Sequence, residues 1–255
     1  MGTSQPRWFE NLPGANERAL RLYCFPYAGG SAQVFRNWQR YFLPEISLVL
    51  AHLPGRGMRA GEPLFRNLKP LVHALADAFV ARDPSPFAFW GHSMGGLIGF
   101  ELARELRRRG RPGPLALFVS GRSAPHVPDP DPPTFNLPDD EFIAELRRLK
   151  GTPEEVLSSP ELKAFFLPVI RADFELVETY TYQEEAPLDC PIQVYGGLQD
   201  TSVPAERLKA WQKQTVHPSK VRMFRGDHFF IHSVAMDVVQ TLRRDALNLL
   251  SHAAC

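Results

Sequence analysis

The chain has little cysteine, almost no net charge and no long apolar stretch, and each shortage removes a class of function. Cysteine occurs three times in 255 residues, as Cys24, Cys190 and Cys255. Three thiols so widely spaced form neither a disulfide framework nor a zinc site. Cys24 and Cys190 lie in or beside apolar runs, where a buried thiol is the expected state. The formal net charge is +1, so no overall field draws the molecule to nucleic acid or to an anionic membrane. Lysine is confined to positions 69, 150, 163, 209, 213 and 220; the preference for arginine reads as a coding bias without functional meaning. No run approaches the roughly eighteen apolar residues of a membrane span. Met1-Gly2-Thr3-Ser4-Gln5-Pro6 lacks the apolar core of a signal peptide, and Pro6 stands where myristoylation wants Ser or Thr. Repeats and low-complexity tracts are missing too. A reducing cytoplasm is the expected location, with neither nucleic acid nor membrane as partner.

What is present is ordinary globular material, 44% hydrophobic and 22% charged. Six short apolar runs read as buried strands: Leu20–Phe25, Leu48–Leu53, Phe87–Trp90, Leu115–Ser120, Ile192–Tyr195 and Val221–Phe224. Helix-period segments fall between them at Leu68–Val80, Leu97–Leu106 and Ala205–Gln214, the last with Pro204 at its first turn. Val234, Val238, Leu242, Ala246 and Leu249 form one face of a final helix. Alternating strands and helices, with strands apolar throughout, predict an α/β protein with a mainly parallel sheet covered on both faces. One domain is expected across residues 1–255. The alternation fails between Gly121 and Leu188, where a Pro/Asp-rich loop (Pro125–Pro133) precedes helix-like Asp139–Leu149. A second helical stretch carries Leu162, Phe165, Phe166, Val169, Ile170, Phe174 and Val177, and Pro168 is expected to kink it. A helical insert of about residues 122–187 between two sheet strands is placed to form a lid.

The chemistry begins at Gly91-His92-Ser93-Met94-Gly95, between an apolar run and a helix. Composition alone produces Gly-x-Ser-x-Gly about once in ten chains of this length, so the context must decide. A strand, a sharp turn and a helix put the Ser93 hydroxyl at the apex as a nucleophile. Such a serine needs a base, an orienting acid and an oxyanion hole, in the chain order Ser, Asp or Glu, His. Of eight histidines, His52, His73, His126, His217 and His252 read as surface or packing residues. His92 points away from the Ser93 hydroxyl, and His232 begins the last helix. His228 follows the last strand on a loop at the sheet's carboxyl edge, where ligands of parallel sheets gather, and is the candidate base. Asp200, delivered by Gly196-Gly197-Leu198-Gln199 at the same edge, is the candidate acid; Asp227 adjoins His228 and diverges from it. The oxyanion donors are the Met94 N–H and one N–H from Phe25-Pro26-Tyr27-Ala28-Gly29-Gly30-Ser31, Ala28 first and Tyr27 as fallback.

Several of these segments together resemble a family. Phe25–Gly30, Leu53-Pro54-Gly55-Arg56, Pro86–Gly95, Leu167–Asp173, the Gly-Gly turn before Asp200 and His228-Phe229 are similar to the type II thioesterases that accompany polyketide and nonribosomal peptide synthetases. The likeness spans about residues 20–250 and extends to the medium-chain thioesterase of fatty acid synthase. It implies an α/β-hydrolase fold with a helical lid. It also implies an editing hydrolase that frees acyl groups from the phosphopantetheine arm of acyl or peptidyl carrier domains through an acyl-serine, with no cofactor and no metal, as a monomer. Phe165, Phe166 and Phe174, with Tyr27, become candidate lining of an acyl chamber. Arg56 and Arg59 either meet the arm's phosphate or an acidic carrier surface, or are solvated. The family often has Gly-Gly-His where this chain has Gly226-Asp227-His228, and Gly-Gly-Thr-Pro at Lys150-Gly151-Thr152-Pro153. The first touches the base loop and the second only the insert. A carboxylesterase, lactonase or acyltransferase would use the same residues, and a hydrolase-shaped binding module would not need them.

Overall fold

Strand formation follows the apolar runs closely. The computed structural model describes residues 8–16, 19–82 and 86–253, without the side chains of 251–253. Met1–Pro6, Cys255 and the His252 side chain, on which the leader, thiol and packing expectations rest, lie outside the described residues. The strands are β1 (Phe9–Asn11), β2 (Leu20–Phe25), β3 (Ile46–Ala51), β4 (Phe87–His92), β5 (Leu117–Ser120), β6 (Ile192–Gly197) and β7 (Lys220–Phe224). They form one sheet in the order β1-β3-β2-β4-β5-β6-β7. β1 pairs antiparallel with β3, and every other pair is parallel. The mainly parallel sheet was expected; β1, only three residues long, was not. β3 starts two residues before the expected run and ends before His52.

The helices are α1 (Leu68–Val80), α2 (Met94–Arg108), α3 (Asp139–Leu149), α4 (Glu154–Ser158), α5 (Pro160–Glu178), α6 (Ala205–Lys209), α7 (Phe230–Ser233) and α8 (Ala235–Ala253). Tighter helical geometry of three residues per turn forms at Ala32–Tyr41, Gly57–Arg59 and Ala210–Gln214. α1 matches its expected bounds because its ends are marked: Asn67 caps it by accepting from the Lys69 N–H at 3.0 Å. Its face of Leu68, Leu71, Val72, Leu75 and Ala76 is buried. No described helix is long and apolar enough to cross a membrane.

Side chains alternate across the strands into two cores. Tyr23, Phe25 and Phe89 pack with α1 and α2 on one face, while Leu22, Cys24 and Trp90 pack with Trp38, Val238 and Leu242 on the other. Phe89 and Leu22 are fully buried, each such burial being worth about 1.5–3 kcal/mol. Both faces are covered, so the open places on this sheet are its ends.

Between β5 and β6 the described chain is helical, as expected. α3 to α5 carry a small core of their own, Phe142, Ile143, Leu146, Leu157 and Ile170. α5 continues as one helix through Pro168.

Candidate active site

The carboxyl end of β4 has the strand, strained turn and helix expected of a nucleophile elbow. Ser93 has φ 52° and ψ −115°, a backbone state that costs a non-glycine residue about 1–3 kcal/mol. Its neighbours must be glycine for steric reasons. A Cβ at Gly91 would lie 2.1 Å from the Gly95 carbonyl carbon, and one at Gly95 would lie 2.1 Å from the Phe25 oxygen. The Ser93 N–H donates to the Ser120 carbonyl at 2.7 Å and so ties the turn to β5. Among the described residues the N–H of Met94, the first of α2, has no acceptor; it is an orphan donor at a helix N-terminus.

Two further loops at the same edge bring the candidate acid to the candidate base. His228 Nδ1 lies 2.8 Å from Asp200 Oδ2. The other carboxylate oxygen, Asp200 Oδ1, accepts from the N–H groups of Ser202 at 2.9 Å and Val203 at 3.1 Å. The buried carboxylate is therefore fixed in place. The loops are stitched together by Leu198 N–H to Phe224 O at 2.7 Å and Gln199 N–H to Gly226 O at 2.9 Å. They approach so closely that a Cβ at Gly197 would lie 2.3 Å from the Asp227 oxygen. The positive φ of the base loop falls on Gly226 (φ +118°), and Asp227 instead accepts the Phe229 N–H at 3.0 Å. Asp227 thus shapes the turn beside His228 without left-handed backbone.

The candidate oxyanion loop after β2 is a turn closed by Gly30 N–H to Tyr27 O at 2.9 Å, with Gly29 at φ +74°, a conformation that favours glycine. The Ala28 N–H has no acceptor among the described residues. The Gly29 N–H donates to Asp173 Oδ2 of α5 at 2.7 Å. Asp173 also receives a fork from Arg56, one guanidinium N–H on each carboxylate oxygen, with Nη2 to Oδ1 at 2.7 Å. Asp173 is 1% exposed and Arg56 8%. The expectation for Arg56 and Arg59 is corrected here: Arg59, 5% exposed, pairs with Glu62, so neither arginine is solvated or free for a docking partner. Sequence reasoning missed Asp173, although a signal was present. An acid inside the apolar stripe Val169, Ile170, Leu176 has to be buried, and a buried charge needs a partner.

A cavity of about 600 Å³ opens over these loops, lined by Tyr27, Ala28, Ser93, Met94, Phe174 and His228 among others. Two expected lining residues are elsewhere. Phe165 is 55% exposed, and Phe166 packs edge-on against it and on the small insert core. Both lie on the first turns of α5, beyond the chamber wall. Tyr27 is held by its hydroxyl, 2.9 Å from His232 Nε2; His232 lies in α7, a separate turn before α8. His126, expected on the surface or in packing, lines the cavity and accepts from Gln214 Nε2 at 2.8 Å. His92 turns away from the cavity to Ser120 Oγ at 2.9 Å, and its ring lies under that of His228 with centroids 5.2 Å apart. Burial, reinforced by the neighbouring His228 and His232, holds His92 well below the usual histidine pKa. A neutral ring beneath His228 adds no repulsion when His228 gains charge. Cys24 and Cys190 are buried free thiols. Among the described residues no group of three or more His, Cys, Asp or Glu side chains is placed to hold a metal ion.

An elbow serine, a carboxylate-bound histidine and two free N–H donors around one cavity make a site for acyl transfer. The thioesterase domain family matches residues 20–245. The chain belongs to the thioesterase family. The members of this family are hydrolases acting on thioesters, and this chain is one of them. It is 42% identical over 234 residues to the gramicidin S biosynthesis protein GrsT of Aneurinibacillus migulanus, covering 92% of this chain and 91% of that one. Among solved structures, ClbQ from the colibactin NRPS/PKS pathway superposes with a TM-score of 0.86 at 34% identity, over 91% of this chain and 98% of ClbQ. BorB, the type II thioesterase of the borrelidin biosynthetic cluster, superposes with a TM-score of 0.85 at 33% identity, over 95% of this chain and 99% of BorB. This thioesterase therefore has the α/β-hydrolase fold, with α3 to α5 as its helical insert.

Proposed function

We propose that this thioesterase removes acyl groups from the phosphopantetheine arm of carrier-protein domains in a nonribosomal peptide or polyketide synthase, as an editing enzyme. The likeness to ClbQ of the colibactin NRPS/PKS pathway and to the type II thioesterase BorB supports the choice of partner. The observation that carries the chemistry is the 2.8 Å Asp200–His228 bond in the wall of a cavity that also exposes the strained Ser93.

In this reading Asp200 accepts from His228 Nδ1–H, which leaves Nε2 as the base. His228 Nε2 takes the Ser93 proton as Oγ attacks the thioester carbonyl. The oxyanion is held by the N–H groups of Met94 and Ala28, and the C–S bond breaks as His228 returns the proton to the leaving pantetheine sulfur. Water, deprotonated by the same nitrogen, then attacks the acyl-serine, and Ser93 is regenerated with release of the acid. Ser93 Oγ makes no hydrogen bond among the described residues; the contact to Nε2 closes when an acyl group fills the chamber.

The test is intact-mass monitoring of acylated carrier proteins with wild type and Ser93→Ala. The variant is expected to lose at least about a thousandfold in turnover. Undiminished hydrolysis by the variant, or a strong preference of the wild type for simple esters over carrier thioesters, would overturn the reading.

A further inference from the structure

Arg122 follows Gly121 at the carboxyl end of β5 and lines the same cavity as Ser93 and His228. Its backbone is fixed on both sides. A Cβ added at Gly121 would lie 2.7 Å from the His92 ring and 3.4 Å from the His228 ring, and the Arg122 carbonyl accepts from Trp211 Nε1 at 2.7 Å. The Arg122 Cβ is 3.6 Å from where Gly96, in the first turn of α2, would carry its own. The side chain therefore starts within one helical turn of the nucleophile.

Its guanidinium is unpaired. Among the described residues none of its N–H groups has a protein acceptor, and Nε is buried without one. The more deeply buried arginines are treated differently: Arg56 is paired with Asp173, Arg59 with Glu62 and Arg104 with Glu101. The nearby charged groups do not supply a counterion. Asp129 is exposed and makes no ion pair with Arg122, and Arg207 adds like charge while donating to the Pro128 carbonyl. Partial burial, with Nε shut away from water, pushes the Arg122 pKa down. A planar fork with free donors matches a carboxylate.

We propose that Arg122 is an anion-recognition group of the acyl chamber, taking acyl chains that carry a carboxylate a few atoms beyond the thioester carbonyl, as in half-thioesters of dicarboxylic acids. The inference rests on the reading that Ser93 attacks an acyl thioester. The phosphate of the carrier arm is a different anion, and the whole pantetheine separates it from the reacting carbonyl. A side chain rooted one helical turn from Ser93 is on the acyl side.

The experiment compares succinyl- and butyryl-carrier protein, a pair matched in chain length, with wild type, Arg122→Gln and Arg122→Lys. The ratio of kcat/KM for succinyl to that for butyryl is expected to fall about ten- to hundredfold in Arg122→Gln and to recover in part in Arg122→Lys. An unchanged ratio in Arg122→Gln overturns the proposal. Thermal unfolding of the wild type with free succinate or the uncharged succinamide reads the site without catalysis and without a variant. Succinate is expected to raise the unfolding midpoint at concentrations where succinamide does not, and equal shifts overturn the proposal. If neither carrier thioester is hydrolysed while succinate still stabilises, the proposed function fails and the anion site stands.

Discussion

The two halves of helix α5 contrast sharply. Residues 160–167 leave Leu162 39% and Phe165 55% exposed and touch mainly the insert itself. Residues 169–178 are fastened at every turn, through Arg171 and Glu178 to the loop before α3 and through Asp173 and Glu175 to the body of the molecule. Arg171 donates to the Leu137 carbonyl at 2.8 Å, Asp173 holds Arg56 and Gly29, and Glu175 takes Arg66 at 2.6 Å. Glu178 accepts the N–H groups of Thr134 and Phe135, each at 2.8 Å. A lid free to swing as one body is inconsistent with this pattern. The second half of α5 is a fixed wall of the candidate oxyanion loop, and α3 is held to it by Arg171–Asp139 and by Phe142 against Phe174.

That contrast can be broken at Asp173. Asp173→Ala leaves Arg56 buried and uncompensated, and is expected to cost about 3–5 kcal/mol in urea unfolding. A loss below about 1 kcal/mol would mean that the clamp is incidental. The double variant Arg56→Met with Asp173→Leu should regain most of the stability but not the turnover, because Gly29 loses its acceptor. Gly29→Ala tests the same contact from the other side. A Cβ there would lie 2.8 Å from Ile170 at a φ of +74°, so a loss of about 1–3 kcal/mol is expected, with reduced turnover.

The region beneath the base predicts a pH effect. His92 is held neutral in the fold, whereas the unfolded chain protonates it below the ordinary histidine pKa of about 6.5. The unfolded state therefore binds more protons on acidification, and stability falls as pH drops below about 6.5. The slope is about 1.4 kcal/mol per pH unit from this group alone. Urea midpoints from pH 7 to 5, flatter in His92→Gln than in wild type, check it. Smallest of all, Phe165→Ser on the outer half of α5 should change stability by less than about 0.5 kcal/mol. A loss of 2 kcal/mol or more there would erase the difference between the halves.

Much of this was legible in the sequence because local pattern and tertiary role agree. β2, α1 and α3 are bounded by turn or capping residues, and their periodicity matches what they bury. The elbow, Asp200 and His228 stand at strand ends, which chain order alone locates. What was not legible depends on distant partners. β1 is three residues long and exists by pairing with β3. Arg56 and Asp173 are 117 residues apart, so an arginine in a glycine loop looked solvated. Phe165 and Phe166 fit the apolar period of α5, but periodicity does not tell where a helix projects past the body it covers.

Gly151 has a consequence for exchanging inserts between relatives. It presses on the ring of Phe229, the residue after His228; a Cβ there would lie 2.3 Å from the Phe229 Cζ. The insert is thus keyed to the base loop by the smallest side chain facing one of the largest. A grafted insert bringing even alanine to this point would shove the histidine's neighbour sideways, and chimeras should transplant positions 151 and 229 as one cassette.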